Sequence, residues 1–168
     1  MPRIPLGTIT SYTAPGENAT PPRLLLAMGH PAQVADAAAE LFRTLAQGAL
    51  SARDRKLATL AIAAELRNGY EWGHHSASAA RFGISAADVT AIRSGATGRL
   101  SGHDRAVADL ALATERQSVT DELWQAAAKE LSDEQLVQLT VLSGYYGMLA
   151  RVQVALQVDQ DAGFTGAY

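Results

Sequence analysis

The chain has 168 residues, 48% of them apolar and 18% charged, with a formal net charge of −3, which is enough apolar material for one packed domain and too little charge for a disordered chain. Its fourteen Lys and Arg are scattered and give no electrostatic footprint for nucleic acid, while the longest apolar stretch, LATLAIAAEL, is far too short to span a bilayer. There is no cysteine, which excludes disulfides, thiolate nucleophiles and Cys-ligated zinc. The opening MPRIPLGTIT lacks the apolar h-region of a secretory signal, so the cytoplasm is the expected compartment.

Residues 1–23 hold five of the six prolines. They are expected as an extended arm that lies on the body or reaches a neighbouring subunit, because proline removes a helix donor and clashes with the preceding turn. Residues 24–168 are expected as a single all-α domain, with helices near 31–47, 52–67, 70–82, 86–94, 102–116, 121–130 and 133–158. Four of these starts share one chemistry. Ser51, Ser85, Ser101 and Ser132 each stand three residues before Asp54, Asp88, Asp104 and Gln135, the spacing of a capping box. Between the starts, apolar residues recur at intervals of three and four, as in Leu57, Leu60, Ala61 and Ala64, or Leu136, Leu139, Leu142, Tyr146 and Leu149. No segment alternates as a half-buried strand does. The linker SGATGRLSG divides the helices into two groups without marking a domain boundary.

The segment NGYEWGHHSASAARFG, residues 68–83, gathers Glu71, Trp72, His74 and His75 in a chain with only four histidines. Asn68-Gly69 is a helix stop, and the run from Tyr70 to Phe82 reads as a new helix closed by Gly83. At about 100° per residue, Glu71, His75 and Ser78 share one stripe, with His74 about 60° to the side of Glu71. A carboxylate one turn before an imidazole can fix its tautomer and raise its basicity, leaving the other nitrogen for a substrate. The same spacing also suits a solvated surface pair, and Trp72 also suits a core. EWGH fits the Glu-x-x-His element of carboxylate-bridged di-iron bundles, but no second copy exists. His30, before Pro31 at a turn, and His103, within SGHD, sit in separate segments without ligand spacing, so no metal is expected. His103 is expected to serve a local cap or to be exposed.

The stretch RDRKLATLAIAAELRNGYEWGHHSASAARFGISAADVTAI resembles the core of the carboxymuconolactone decarboxylase and alkyl hydroperoxidase D-like family. There an apolar helix is followed by a Cys-x-x-Cys-x-x-x-His segment and a helix ending in Gly. MPRIP and LSDEQLVQLTVLSGYYGMLARVQVAL resemble the flanks of its decarboxylase-like, cysteine-free branch. Position by position, the family histidine matches His75, the two cysteines fall on Asn68 and Glu71, and the helix-start glutamate falls on Lys56. Thiol peroxidase chemistry has no sulfur to act through.

The resemblance implies an all-α alkyl hydroperoxidase D-like helical bundle that assembles as a dimer, trimer or hexamer with pockets at subunit interfaces. It also implies a cofactor-free lyase or isomerase, of the carbon–carbon lyase type, acting on a small oxo-acid or lactone. Within it, His75 is expected to carry the proton and Glu71 to orient it, with His74 and Trp72 binding substrate. Tyr145 or Tyr146 is expected to steady an enolate, and Arg67 to bind an anionic group, for which Lys56, Arg81 and Arg151 are further candidates. The alternative is a non-catalytic binding or assembly module that has lost its thiols. A closed pocket around His75 favours the enzyme, and an open surface favours the module.

Overall fold

The serine punctuation acts as its chemistry requires in a computed structural model that describes residues 2–12, 20–164 and 168. Ser51, Ser85, Ser101 and Ser132 each accept the backbone N–H three residues on, which satisfies one orphan donor at a helix start and is typically worth ~1 kcal/mol. At Ser85 and Ser132 the box closes reciprocally through Asp88 and Gln135. At the other two starts the acids are buried and bind across the structure instead. Asp54 meets Nε2 of His103 at 3.0 Å, and Asp104 takes two bonds from the Arg53 guanidinium. His103, expected to act only locally, therefore ties two helix starts together.

Among the described residues there are eight α-helices and no strand. They are α1 Arg23–Ala27, α2 Ala32–Ala46, α3 Ala52–Glu65, α4 Gly69–Ser76, α5 Ala86–Arg93, α6 Gly102–Glu115, α7 Asp121–Ala128 and α8 Asp133–Leu156. The helix expected over 70–82 is divided: α4 ends at Ser76, and Ala79–Phe82 forms a separate 3₁₀ turn closed by Gly83 in the left-handed region at φ 72°. Ser78 supplies the reason, since its Oγ donates to the carbonyls of His74 and His75 and competes with the backbone bonds that would continue the helix. The short α1 has no counterpart among the expected helices, because five residues between prolines and Gly29 are too few to show a period.

α3 is the axis of the fold. Every residue from Leu57 to Ala64 is buried, so the helix is apolar all round and must be enclosed by others. α6, α8, α4 and α5 pack around it, with Leu139 and Leu142 of α8 and Val107 and Leu110 of α6 fully buried. Residues 2–12 lie along this body. The N–H of Arg3 donates to Leu156 at 2.9 Å, that of Gly7 to Leu26 at 2.8 Å, and Thr10 and Ser11 bind the Asp36 carboxylate. Residues 13–19 of the expected arm lie outside the described residues. Among the described residues, no helix is long and apolar enough to cross a membrane.

Candidate active site

α4 begins where the side chain of Asn68 accepts the backbone N–H of Glu71 at 2.9 Å, so Glu71 stands in the first turn, where the helix dipole favours a carboxylate. Asn68 is buried, and its amide also donates to Ala150 and Gln153 of α8. The two positions that the resemblance gives to cysteines thus hold a helix cap and a buried carboxylate. One turn on, His75 Nε2 lies 3.4 Å from Glu71 Oε2. On the other edge of the ring, Nδ1 lies 2.9 Å from Nζ of Lys56, which reaches over from α3 and also donates to Ser78 Oγ at 3.0 Å.

An ammonium group has donors only. Charged Lys56 therefore makes Nδ1 the acceptor and leaves the ring proton on Nε2, the nitrogen 3.4 Å from the Glu71 carboxylate. Both ring nitrogens are engaged, and the free nitrogen expected of His75 is absent. Burial pushes the His75 pKa below its ordinary value, against the interaction of its N–H with the Glu71 carboxylate, which raises it. Burial also lowers Lys56 to about 8, against the attraction of Glu71. The result is a row of ammonium, neutral imidazole and carboxylate along which protons can pass.

Glu71, His74, His75, Tyr145 and Tyr146 line one pocket of about 240 Å³ together with Tyr70. Its walls come from Leu24 and Leu25 of α1, Phe42 of α2 and Leu149 of α8. The Tyr146 ring stands edge-on to His75 at 5.2 Å and edge-on to Tyr145 at 5.4 Å. Burial raises the phenols of Tyr70, Tyr145 and Tyr146 above their ordinary value, so all three remain protonated donors. The Tyr145 hydroxyl makes no hydrogen bond among the described residues.

His74 faces the other way along the pocket wall. It stacks on Phe164 at 3.9 Å, and its Nε2 is 2.9 Å from Asp161 without hydrogen-bond alignment. Asp161 also accepts from the Tyr70 hydroxyl at 2.5 Å, which ties the C-terminal segment to α4.

Trp72 and Arg67 do not join this group. Trp72 is buried on another side of α4, edge-on to Tyr168 with Arg93 over its ring. Arg67 is exposed at the end of α3 with φ 49°. Arg81 is exposed, and Arg151 pairs with Glu115. His30 contacts the Pro5 carbonyl at 3.0 Å, and among the described residues no three His, Asp or Glu side chains converge as metal ligands would. Spacing within residues 68–83 had no means of finding the Lys56 contact, since the partner stands 19 residues earlier in the chain. Its one signal was the match of Lys56 to the family's helix-start glutamate.

The family model for carboxymuconolactone decarboxylases matches residues 31–115, just over half of the chain. The chain belongs to the carboxymuconolactone decarboxylase family. Solved structures share its fold at low identity. The apo debrominase Bmp8 is 20% identical with a TM-score of 0.72, over 84% of this chain and 78% of that one. An uncharacterized peroxidase-related protein from Silicibacter sp. TM1040 is 16% identical with a TM-score of 0.75, over 85% and 78%. A peroxidase-related protein from Ralstonia eutropha JMP134 with an alkylhydroperoxidase AhpD core is 16% identical with a TM-score of 0.73, over 84% and 77%. No curated protein matches the sequence. Against its histidine this member of the family carries a carboxylate where the resemblance gives a cysteine and an amine where it gives a glutamate.

Proposed function

We infer that the chain is a cofactor-free lyase or isomerase that moves a proton on a small enolisable lactone or oxo-acid. The observation that carries this is the bridging of Glu71 and Lys56 by the two nitrogens of His75, with the carboxylate at a pocket. Glu71 takes the proton next to the substrate carbonyl, His75 passes its Nε2 proton forward or back, and Lys56 holds Nδ1. General acid and base catalysis of this kind is worth roughly 10²–10⁴ in rate. The Tyr145 hydroxyl is free to donate to the enolate oxygen as charge develops. The buried side chains of Leu24 and Leu25 line the pocket and keep water from that wall, which strengthens each of these interactions.

The side chains of Glu71 and His75 are 6% and 17% exposed, which favours the enzyme over a bare assembly module. Among the described residues no Arg or Lys lines this pocket, so a neutral lactone suits it better than an anion. The test is proton exchange: small lactones incubated with the protein in D₂O are expected to gain deuterium next to the carbonyl, followed by NMR. An exchange rate equal to that of buffer across a lactone and oxo-acid panel overturns the assignment.

We also propose a homo-oligomer of at least two chains. Val137, Val141 and Met148 are exposed on α8, and Leu41 and Phe42 on α2, so apolar surface continues from the pocket wall onto the outside. Light scattering is expected to give a multiple of the chain mass of 17.7 kDa, and a monomer at micromolar concentration contradicts it.

A further inference from the structure

Phe42, His75 and Tyr146 are shared walls. On their far side is a second cavity of about 140 Å³, lined also by Arg55, Lys56, Thr59 and Phe82. That volume matches the ~150 Å³ cavity that admits one benzene ring. Its chemistry is the reverse of the first pocket: among the described residues it is lined by two cationic side chains and no carboxylate. Arg55 spends one N–H on the Leu50 carbonyl and has no ion pair among the described residues. Lys56 is held between His75, Ser78 and the face of Phe82, 4.7 Å from the ring centre.

We propose that Lys56 captures the carbonyl of a small oxo-acid as a Schiff base in this second cavity, while Arg55 binds the acid's carboxylate. The ligand here is an anionic oxo-acid, whereas the Glu71 pocket suits a neutral lactone better, and the capture stands even if that pocket turns over no lactone. A lysine becomes a nucleophile when desolvation favours its neutral form, and the burial of Lys56 outweighs the opposing attraction of Glu71. Burial brings its pKa to about 8, so at pH 7 it holds on the order of a hundredfold more neutral amine than an ordinary exposed lysine.

The row of groups supplies the deprotonation. Lys56 gives a proton to Nδ1 of His75 as Nε2 releases its own to Glu71, and total charge is unchanged. The Nζ lone pair then adds to the carbonyl carbon, and the C=O π pair moves to oxygen, which takes a proton. Departure of that oxygen as water leaves a C=N iminium. One carbonyl, one amine and one proton give one iminium and one water. With a β-oxo acid, the bond to the carboxylate can break, its electron pair entering the iminium to give an enamine and carbon dioxide. Protonation at carbon and addition of water then release the ketone and restore the amine.

The chain carries its own control, because its only lysines are Lys56 and the exposed Lys129. The whole protein is incubated at pH 8 with acetoacetate and sodium cyanoborohydride, which reduces an iminium to a stable amine, and peptide mapping by mass spectrometry locates the adduct. Lys56 is expected to label at least roughly tenfold faster than Lys129. Acetoacetate is expected to outpace its neutral ethyl ester at Lys56 but not at Lys129, and Arg55→Gln removes that preference. Equal labelling of the two lysines overturns the proposal, as does labelling of Lys56 that ignores the carboxylate. Selective labelling without deuterium exchange in lactones sustains the capture and counts against the Glu71 pocket alone.

Discussion

Glu71→Gln is expected to slow deuterium exchange by roughly 10²–10⁴, the range lost with a general acid or base, while helical content and oligomeric mass stay as they are. Glutamine retains the shape at the start of α4 and can still accept from Nε2 of His75, but its amide takes no proton from a carbon acid. His75→Ala is expected to cost a similar factor by cutting Glu71 off from Lys56. Because the two act in one row, the double variant falls little further than either single one. Independent, multiplying losses would show that the two residues do not work as a unit.

The pH profile tests the same row from the other end. Burial lowers the His75 pKa, so the acid limb is expected to lie below the range of a free imidazole. Lys56 titrates at about 8, and once neutral it no longer compels Nδ1 to accept. An alkaline limb is therefore expected near that value, with activity falling as pH rises through it. Lys56→Met is expected to remove this limb, and a limb that persists unchanged in the variant would assign it elsewhere.

Leu139→Ala is expected to carry the largest stability loss among single core changes on α8, about 2–5 kcal/mol. Leu139 is fully buried on the face that packs against α3 and α6. Removing its branched end loses transfer energy and leaves a cavity, because neighbours held on three helices relax only in part. That is a large share of the ~5–15 kcal/mol by which domains are stable. Urea unfolding followed by helical circular dichroism measures it as a lower midpoint at unchanged slope. A loss under about 1 kcal/mol would mean that this region is less tightly packed than the structure shows. Val137, two residues earlier and 60% exposed, is the comparison: Val137→Ala is expected within about 0.5 kcal/mol for the isolated chain.

The sequence by itself determined where helices begin. Ser51, Ser85, Ser101 and Ser132 bind a donor three residues away, and such a bond is written into local order whatever the rest of the chain does. It also determined that Glu71 and His75 meet, since one helical turn separates them, and that sulfur chemistry is absent. Family resemblance went further, placing the chain in the carboxymuconolactone decarboxylase family and marking Lys56 as the position of a site residue.

Only the tertiary structure decided what Lys56 touches. The contact with His75 requires α3 and α4 to turn back on each other, which no local spacing encodes. The same contact decided the tautomer of His75 and made Glu71 the carboxylate that meets the pocket. It was likewise packing that sent Trp72 to another face of α4 and left Arg67 in solvent: helical spacing orders residues around one helix, but which of its faces meets a cavity depends on the helices laid against it. The two cavities on either side of His75 have no local signature either, because each draws its walls from helices far apart in the chain.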